Sequence, residues 1–265
     1  MKKIFLAVIT LIVLSWACST VPLTGRKQLN LLPESELQQM SLAEYKSFLA
    51  EQKVINNTEQ SAMVKRVGQK IAASATAYLN QEGYGERVKG YQWEFNLVED
   101  KTVNAWCMPG GKVVVYTGIL PVTQTEAGLA VVMGHEISHA IAQHGNERMS
   151  QQLAVALGGI ALDVALSNKP QETRNIFLAS YGVGATLGVI LPYSRKHESE
   201  ADKMGLIFMA KAGYDPHEAV SFWKRMAAKG GQKPPQFLST HPSDEKRIAD
   251  LQKFLPEAMK HYHPK

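Results

Sequence analysis

The chain has 265 residues, 45% hydrophobic and 20% charged, an ordinary globular balance with room for one sizeable domain or two small ones. Its formal charge of +5 is spread without a dense basic run, which argues against nucleic acid as a partner. Two cysteines exclude a disulfide-stapled scaffold.

Lys2 and Lys3 precede an apolar run, Ile4 to Leu14, too short to span a bilayer comfortably and built like the charged and apolar regions of a secretory signal. Ser15-Trp16-Ala17-Cys18 then resembles a bacterial lipobox, with small Ala17 before the cysteine. Residues 1–17 are therefore read as a lipoprotein signal peptide and Cys18 as the lipidated first residue of the mature protein, which makes the membrane a partner through a lipid anchor. Cys107 is then the one remaining cysteine, read as a buried small hydrophobe rather than a zinc ligand. Pro22, Gly25 and Pro33 punctuate an N-terminal arm over 18–33, and 34–265 is expected to form a single domain.

Glu34 to Leu49 has helical periodicity, with Leu37, Met40, Tyr45 and Phe48 as core contacts. Asn57 is the expected cap of a second helix, running to about Leu79 with Met63, Val67 and Ile71 inward. A β portion follows. Gln92 to Val98 alternates, with Trp93, Phe95 and Leu97 on one face, and Val103 to Met108 leads through Pro109-Gly110-Gly111 into Lys112 to Thr117. These runs predict a small antiparallel sheet whose edge can accept an extended peptide through main-chain bonds.

The stretch Thr123 to Gly145 carries the chemistry. Thr123 and Glu126 have capping-box spacing, and Leu129, Val132, Met133, Ile137 and Ile141 form a stripe of helical period. His135, Glu136 and His139 make an H-E-x-x-H match. Residues four apart share a helix face, so His135 and His139 can direct two imidazoles at one zinc ion. Glu136, about 100° round the helix, can reach a water beside the metal without ligating it, as the general base of a metalloprotease does.

Beyond the motif, Asn146 to Leu166 and Gln171 to Leu191 read as long apolar helices, and Ile176 to Tyr193 carries no charge. Gly182, Gly184, Gly188 and Pro192 within that run favour a buried or groove-lining hairpin over a membrane span. Ser194 to Lys211 is a second chemical helix. Catalytic zinc takes three protein ligands, and the positions where a metzincin extension needs Gly and His hold Ala142 and Gly145. Glu198 can complete a His-His-Glu set, with His197 a weaker candidate. Asp202, one turn on, can accept the free ring N–H of a ligating histidine. A helix after Tyr214-Asp215-Pro216 turns Ala219, Phe222, Trp223 and Met226 inward, Gly230 to Pro235 is a loop, and a last helix starts near Ser243. Pro242 holds His241 extended just before that helix, where its ring can enter a groove, and Arg247 supplies a fixed cation beyond it.

Four motifs in order, NAWCMPGG from Asn104, HEISHA from His135, SRKHESEADKMG from Ser194 and STHPSDEKRI from Ser239, make the mature chain similar to the gluzincin peptidases of the CaaX-prenyl-protease/HtpX-type family. It most resembles their lipoprotein, periplasmic members. The resemblance implies an α+β, mainly α fold: a zincin-like helical domain with a small antiparallel sheet beside the HExxH helix. It also implies one zinc per chain on His135, His139 and Glu198, with Glu136 as base. His241 and Arg247 would lie near the site and help bind substrate or transition state, the histidine being able to occlude the metal, and Asn104 would lie on the substrate-side strand. The expected function is a lipid-anchored zinc endopeptidase that degrades misfolded or misassembled envelope proteins. The expected location is the cell envelope, facing the periplasm at the outer membrane. A zinc-bearing chaperone or assembly factor for outer-membrane proteins, with little proteolysis, is the alternative.

Overall fold

The computed structural model describes residues 18–229, 235–242 and 245–264. The signal-like segment 1–17, most of the Gly230–Pro235 loop and the expected helix start at Ser243 lie outside the described residues. The fold is α+β and mainly helical. In chain order it runs β1 (Cys18–Thr20), β2 (Lys27–Leu29), α1 (Glu34–Glu51), β3 (Val54–Ile55), α2 (Glu59–Gln81), β4 (Glu94–Val98), β5 (Ala105–Met108) and β6 (Lys112–Tyr116). The helices α3 (Glu126–Ile141), α4 (His144–Ala165), α5 (Gln171–Ala185), α6 (Leu191–Lys211), α7 (Glu218–Ala228), α8 (Gln236–Thr240) and α9 (Glu245–Met259) follow. Two compact units divide the chain: Ser35–Ala142 with Glu198–Lys265, and Met1–Glu34 with Gln143–His197.

In the first unit the strands form one sheet in the order β3-β4-β6-β5. It is mixed rather than antiparallel, because β4 and β6 run parallel. Treating consecutive strands as neighbours misses this: β5 returns to the far side of β6 and pairs with it antiparallel. The signal was present in Lys112–Tyr116, which is buried at every position, as a central strand with both faces covered should be. Gly110 and Gly111 make the β5–β6 turn at φ 86° and 82°, a left-handed backbone that favours glycine. The helix α2 packs on β4, and α3 packs on both α2 and β5. Between them Val67, Ile71, Leu97, Val113, Leu129 and Ile137 are buried.

Local signals were displaced by one or two residues. Thr125, not Thr123, caps α3, its hydroxyl accepting from Gly128 N at 3.0 Å. Thr58 caps α2 in a reciprocal box with Ser61, and the expected cap Asn57 instead takes a left-handed turn at φ 58°. In both cases a neighbouring threonine with extended backbone reaches the first-turn amide, which is the geometry a cap requires. Leu37 and Tyr45 face inward as expected, whereas Met40 is 66% exposed.

In the second unit β1 and β2 pair antiparallel, Cys18 opposite Leu29, and β2 packs on α4. The helices α4 and α5 form a hairpin. Tyr181 of α5 donates to Val155 O at 3.0 Å, and a Cβ on Gly158 would stand 2.1 Å from the Tyr181 hydroxyl, so glycine sets that approach. Arg174 pairs with Asp163 near the hairpin tip. The hairpin is not buried: Leu157, Ile160, Val164, Ile176 and Val183 are more than half exposed, and α5 has no buried residue among those described. Among the described residues no helix is long and apolar enough to cross a membrane.

Candidate metal centre

His135 and His139 project from α3 one turn apart, their Nε2 atoms 3.0 Å from each other. The helix α6 meets α3 at a pair of glycines. A Cβ on Gly205 would lie 3.0 Å from both Gly134 C and His135 N, a backbone approach that a larger residue cannot share. That approach delivers one turn of α6 to the imidazoles. Glu198 Oε2 lies 3.3 Å from His135 Nε2, and Glu198 Oε1 lies 3.4 Å from His139 Nε2. Asp202 Oδ1 sits 2.9 Å from His135 Nδ1. His241, at the C-terminal end of α8, adds a fourth donor: its Nδ1 is 3.1 Å from His135 Nε2 and 3.0 Å from Glu198 Oε2.

Ligand atoms from His135, His139, Glu198 and His241 all lie within 4.8 Å of one another. Donors about 2.05 Å from a tetrahedral zinc stand about 3.3 Å apart, and the 3.0–3.4 Å separations here match that spacing. The donor set of three imidazoles and a carboxylate is also one that zinc accepts. Cys107, on β5, is not in the cluster; its Sγ lies 3.6 Å from Met108 O. Desolvation of the thiol, and then the Glu136 charge, push it well up, so it stays protonated; the residue is half-buried rather than buried as expected.

The charges of the centre are mutually organised. Burial pulls the His135 ring down, but Asp202 and Glu198 outweigh it and raise it to about 9. Burial opposes the ionised Glu198 carboxylate, yet the surrounding imidazoles hold it well below the ordinary range. Asp202 is likewise held low against its burial, first by Arg247 and then by His135. Glu136 differs. Burial raises its carboxyl despite His241 and His135, and its Oε1 forms no hydrogen bond among the described residues, lying 3.4 Å from His241 Nε2. A buried, underused carboxylate oxygen is costly unless it has a task.

Arg247 has its donors engaged. Nε and Nη2 donate to Asp202 at 2.8 and 2.7 Å, Nη1 donates to Pro242 O at 3.0 Å and lies 3.1 Å from Glu198 Oε2. Its guanidinium carbon lies 3.5 Å from the Trp223 ring centre. Trp223 stacks on Phe237, centroids 5.8 Å apart, and Phe237 lies 4.7 Å from the His241 ring. Asn104 immediately precedes β5, the edge strand beside α3, and its carbonyl accepts from Tyr116 N at 3.1 Å. His197 is not part of the centre; its Nε2 lies 2.9 Å from Glu147.

All the residues expected to share the centre are brought together. Sequence reasoning missed Gly134, Gly205 and Phe237. Gly205 carried a readable signal, since it lies seven residues from Glu198 and so on the same helix face; Gly134, about 100° round from His135, carried none. Phe237 carried none, because its neighbours are distant in the chain.

Among curated proteins, the chain is 42% identical over 169 residues to "Mitochondrial metalloendopeptidase OMA1" of Schizosaccharomyces pombe, covering 63% of this chain and 48% of the relative. It is 31% identical over 247 residues to the human "Metalloendopeptidase OMA1, mitochondrial", 90% of this chain and 46% of the relative. It is 31% identical over 208 residues to a "Putative beta-barrel assembly-enhancing protease" of Vibrio cholerae, 75% of this chain and 40% of the relative. The chain thus spans about half the length of the curated relatives it matches. These matches overturn the expected cell-envelope, periplasm-facing, outer-membrane location: the relative at 42% identity and the human one are mitochondrial by name. Residues 58–255 match the model of Peptidase family M48, whose members are zinc-dependent, and since that span includes every residue of the centre, the chain belongs to this family.

Proposed function

We propose that the chain is a zinc-dependent metalloendopeptidase acting on misfolded or misassembled protein substrates. The observation that carries this reading is the convergence of His135, His139 and Glu198 donor atoms beside a buried Glu136 with an unused carboxylate oxygen. His135, His139 and Glu198 hold the metal. Asp202 accepts from His135 Nδ1 and so turns Nε2 toward it. Zinc held by these residues would supply Lewis acidity toward a peptide carbonyl and a water. Glu136, its carboxyl raised by a dry surrounding, takes the proton of the attacking water and returns it to the leaving amine. The free side of the β5 edge, entered at Asn104, can align an extended substrate by main-chain bonds. His241, whose Nδ1 stands 3.1 Å from His135 Nε2 and 3.0 Å from Glu198 Oε2, supports substrate or transition state in an open form of the site and covers the ligands in a closed one.

A purified full chain should cleave unfolded casein, lose that activity to a chelator and regain it with zinc. Glu136→Gln should keep zinc and abolish cleavage. A tether through lipid on Cys18 belongs to the same reading, motivated by the lipobox-like Ser15–Cys18 run; Cys18→Ser should release the protein from membranes or leave an uncleaved precursor. Unchanged fractionation and mobility count against the tether.

One observation favours a second reading, an assembly factor with little proteolysis: His241 stands among the ligands. A cellular role that survives Glu136→Gln assigns the chain to that class.

A further inference from the structure

The helix α4 leaves one face bare. Met149, Leu153, Leu157, Ile160 and Val164 are exposed, at 38%, 42%, 56%, 61% and 67%. At 100° per residue they fall within an arc of about 80°, a continuous stripe. From Leu153 to Leu162 no side chain can donate or accept a hydrogen bond. Exposed Ile176 and Val183, seven residues apart on α5, extend the apolar surface. Patches of this kind mark interaction sites. We propose that the α4–α5 hairpin lies flat in the interfacial layer of a lipid bilayer, its bare stripe turned toward the acyl chains.

Three observations select lipid. A protein–protein interface carries about one hydrogen bond per 100–200 Å², and this stripe offers no group to make one, whereas lipid asks for none. The wholly apolar segment Leu153–Leu162 is about 15 Å long at the helical rise, half the ~30 Å of a hydrocarbon core. It is bracketed by exposed Arg148 and Lys169, and the tip holds the Asp163–Arg174 ion pair. Those charges oppose spanning and suit a helix lying at the headgroup level. Lastly, the N-terminal chain enters this same unit. Cys18 pairs with Leu29 and β2 packs on α4, and Cys18 follows the apolar run Ile4–Leu14. Whether that run is retained or lipid replaces it, the membrane-seeking end of the chain joins the unit that carries the bare stripe.

The test is local. An environment-sensitive nitrobenzoxadiazole dye is attached to Ile160→Cys in a full-length Cys18→Ser/Cys107→Ser chain. It is then mixed with phosphatidylcholine vesicles containing roughly a third phosphatidylglycerol. The dye should shift blue and brighten several-fold, and the same dye at Glu172→Cys should change little. Leu157→Ser/Val164→Ser, with helicity unchanged by circular dichroism, should abolish the response at position 160. Three results overturn the proposal: no response to vesicles, a blue shift that grows with protein concentration without lipid (a second copy covers the stripe), or a response to unfolded casein but not to vesicles (a client protein covers it).

Discussion

Arg247 and Asp202 form a two-bond ion pair, 2.8 and 2.7 Å, with both side chains buried. Asp202 in turn accepts from His135 Nδ1, so the guanidinium aims a metal ligand at second hand. Its remaining donors and its face are taken by Pro242, Glu198 and Trp223. Arg247 is thus better placed to position the centre than to meet a charge developing on substrate.

It follows that Arg247→Lys, which keeps charge but loses the planar fork, should weaken zinc binding by roughly 10- to 100-fold, the range for partners that orient metal ligands. Competition against a calibrated chelator reads this directly. Wild-type zinc affinity together with a lowered kcat would place Arg247 on the substrate instead.

The glycine pair makes a second prediction. Gly205→Ala puts a Cβ 3.0 Å from the Gly134 and His135 backbone, where only whole-helix movement gives relief. Overpacking of this kind costs about 1–3 kcal/mol. Because the crossing carries Glu198 and Asp202 to the imidazoles, zinc affinity should fall along with thermal stability. Gly182→Ala, mid-helix with open space around its Cβ, is the control: zinc affinity should not change and stability should not fall, since alanine is favoured over glycine in a helix by about 0.5–1 kcal/mol.

Protonation of the metal-free centre sets a pH dependence. His135 is raised from 6.5 to about 9. The charged ring therefore stabilises the metal-free fold below about pH 6.5, and that contribution is lost as pH rises through 9. Zinc must expel the same proton. Adding zinc near pH 7 should release about one proton per metal bound, falling toward none well above pH 9. Zinc occupancy near one per chain, lost in His135→Ala/Glu198→Ala, accompanies it. Full occupancy in that double variant would sink the ligand assignment.

How much of this was legible depends on distance along the chain. His135 and His139, and again Glu198 and Asp202, are four apart, so one helix period placed each pair on one face without knowledge of the fold. The meeting of the two helices was legible only as chemistry: two imidazoles lacked a third ligand. By contrast Trp223 read as core and Phe237 as nothing, since their stacking is a property of tertiary packing. The α4–α5 hairpin failed for a related reason. Ile176 to Tyr193 carries no charge, so nothing in that run marks a solvent face; it read as buried or groove-lining, yet Ile176 and Val183 are exposed.

Glu147 illustrates the same limit. It is 1% exposed, and Arg26, 121 residues away, donates to it twice at 2.7 Å while the His197 ring lies 2.9 Å off. Burial alone would raise its carboxyl; Arg26 and then His197 outweigh it and hold it at about 2. A depressed carboxyl contributes stability that is present above the ordinary 4.5 and is lost as pH falls through about 2. Glu147→Gln should cost roughly 3 kcal/mol near neutral pH, the scale for breaking a buried pair. The gap between parent and variant melting curves should close as pH falls from about 4.5 toward 2. A gap that is constant with pH would show that packing, not charge, is responsible.

His241 carries the last prediction. Its Nδ1 lies 3.1 Å from His135 Nε2 and 3.0 Å from Glu198 Oε2, and its Nε2 faces Glu136 at 3.4 Å. One ring therefore touches two of the proposed ligands and the proposed base, and a substrate carbonyl cannot share that place with it. Its backbone is fixed from both sides: His241 N donates to Phe237 O at 2.8 Å, and Phe237 N donates to Val103 O at 3.1 Å, next to Asn104 on the way into the edge strand. A substrate that extends along β5 can thus act on the segment that carries His241. Two roles then separate by sign. As a cover, His241 slows access to the metal, so His241→Ala should speed zinc removal by a chelator. As a donor to the transition state in the open arrangement, its loss should lower kcat by roughly 10²–10³ while zinc stays bound at saturating metal. Both effects are expected together in one variant, measured on one peptide with zinc content checked. A rise in basal activity would leave the cover and remove the catalytic donor; activity within about twofold of the parent, at normal zinc content and normal chelation rate, would leave neither.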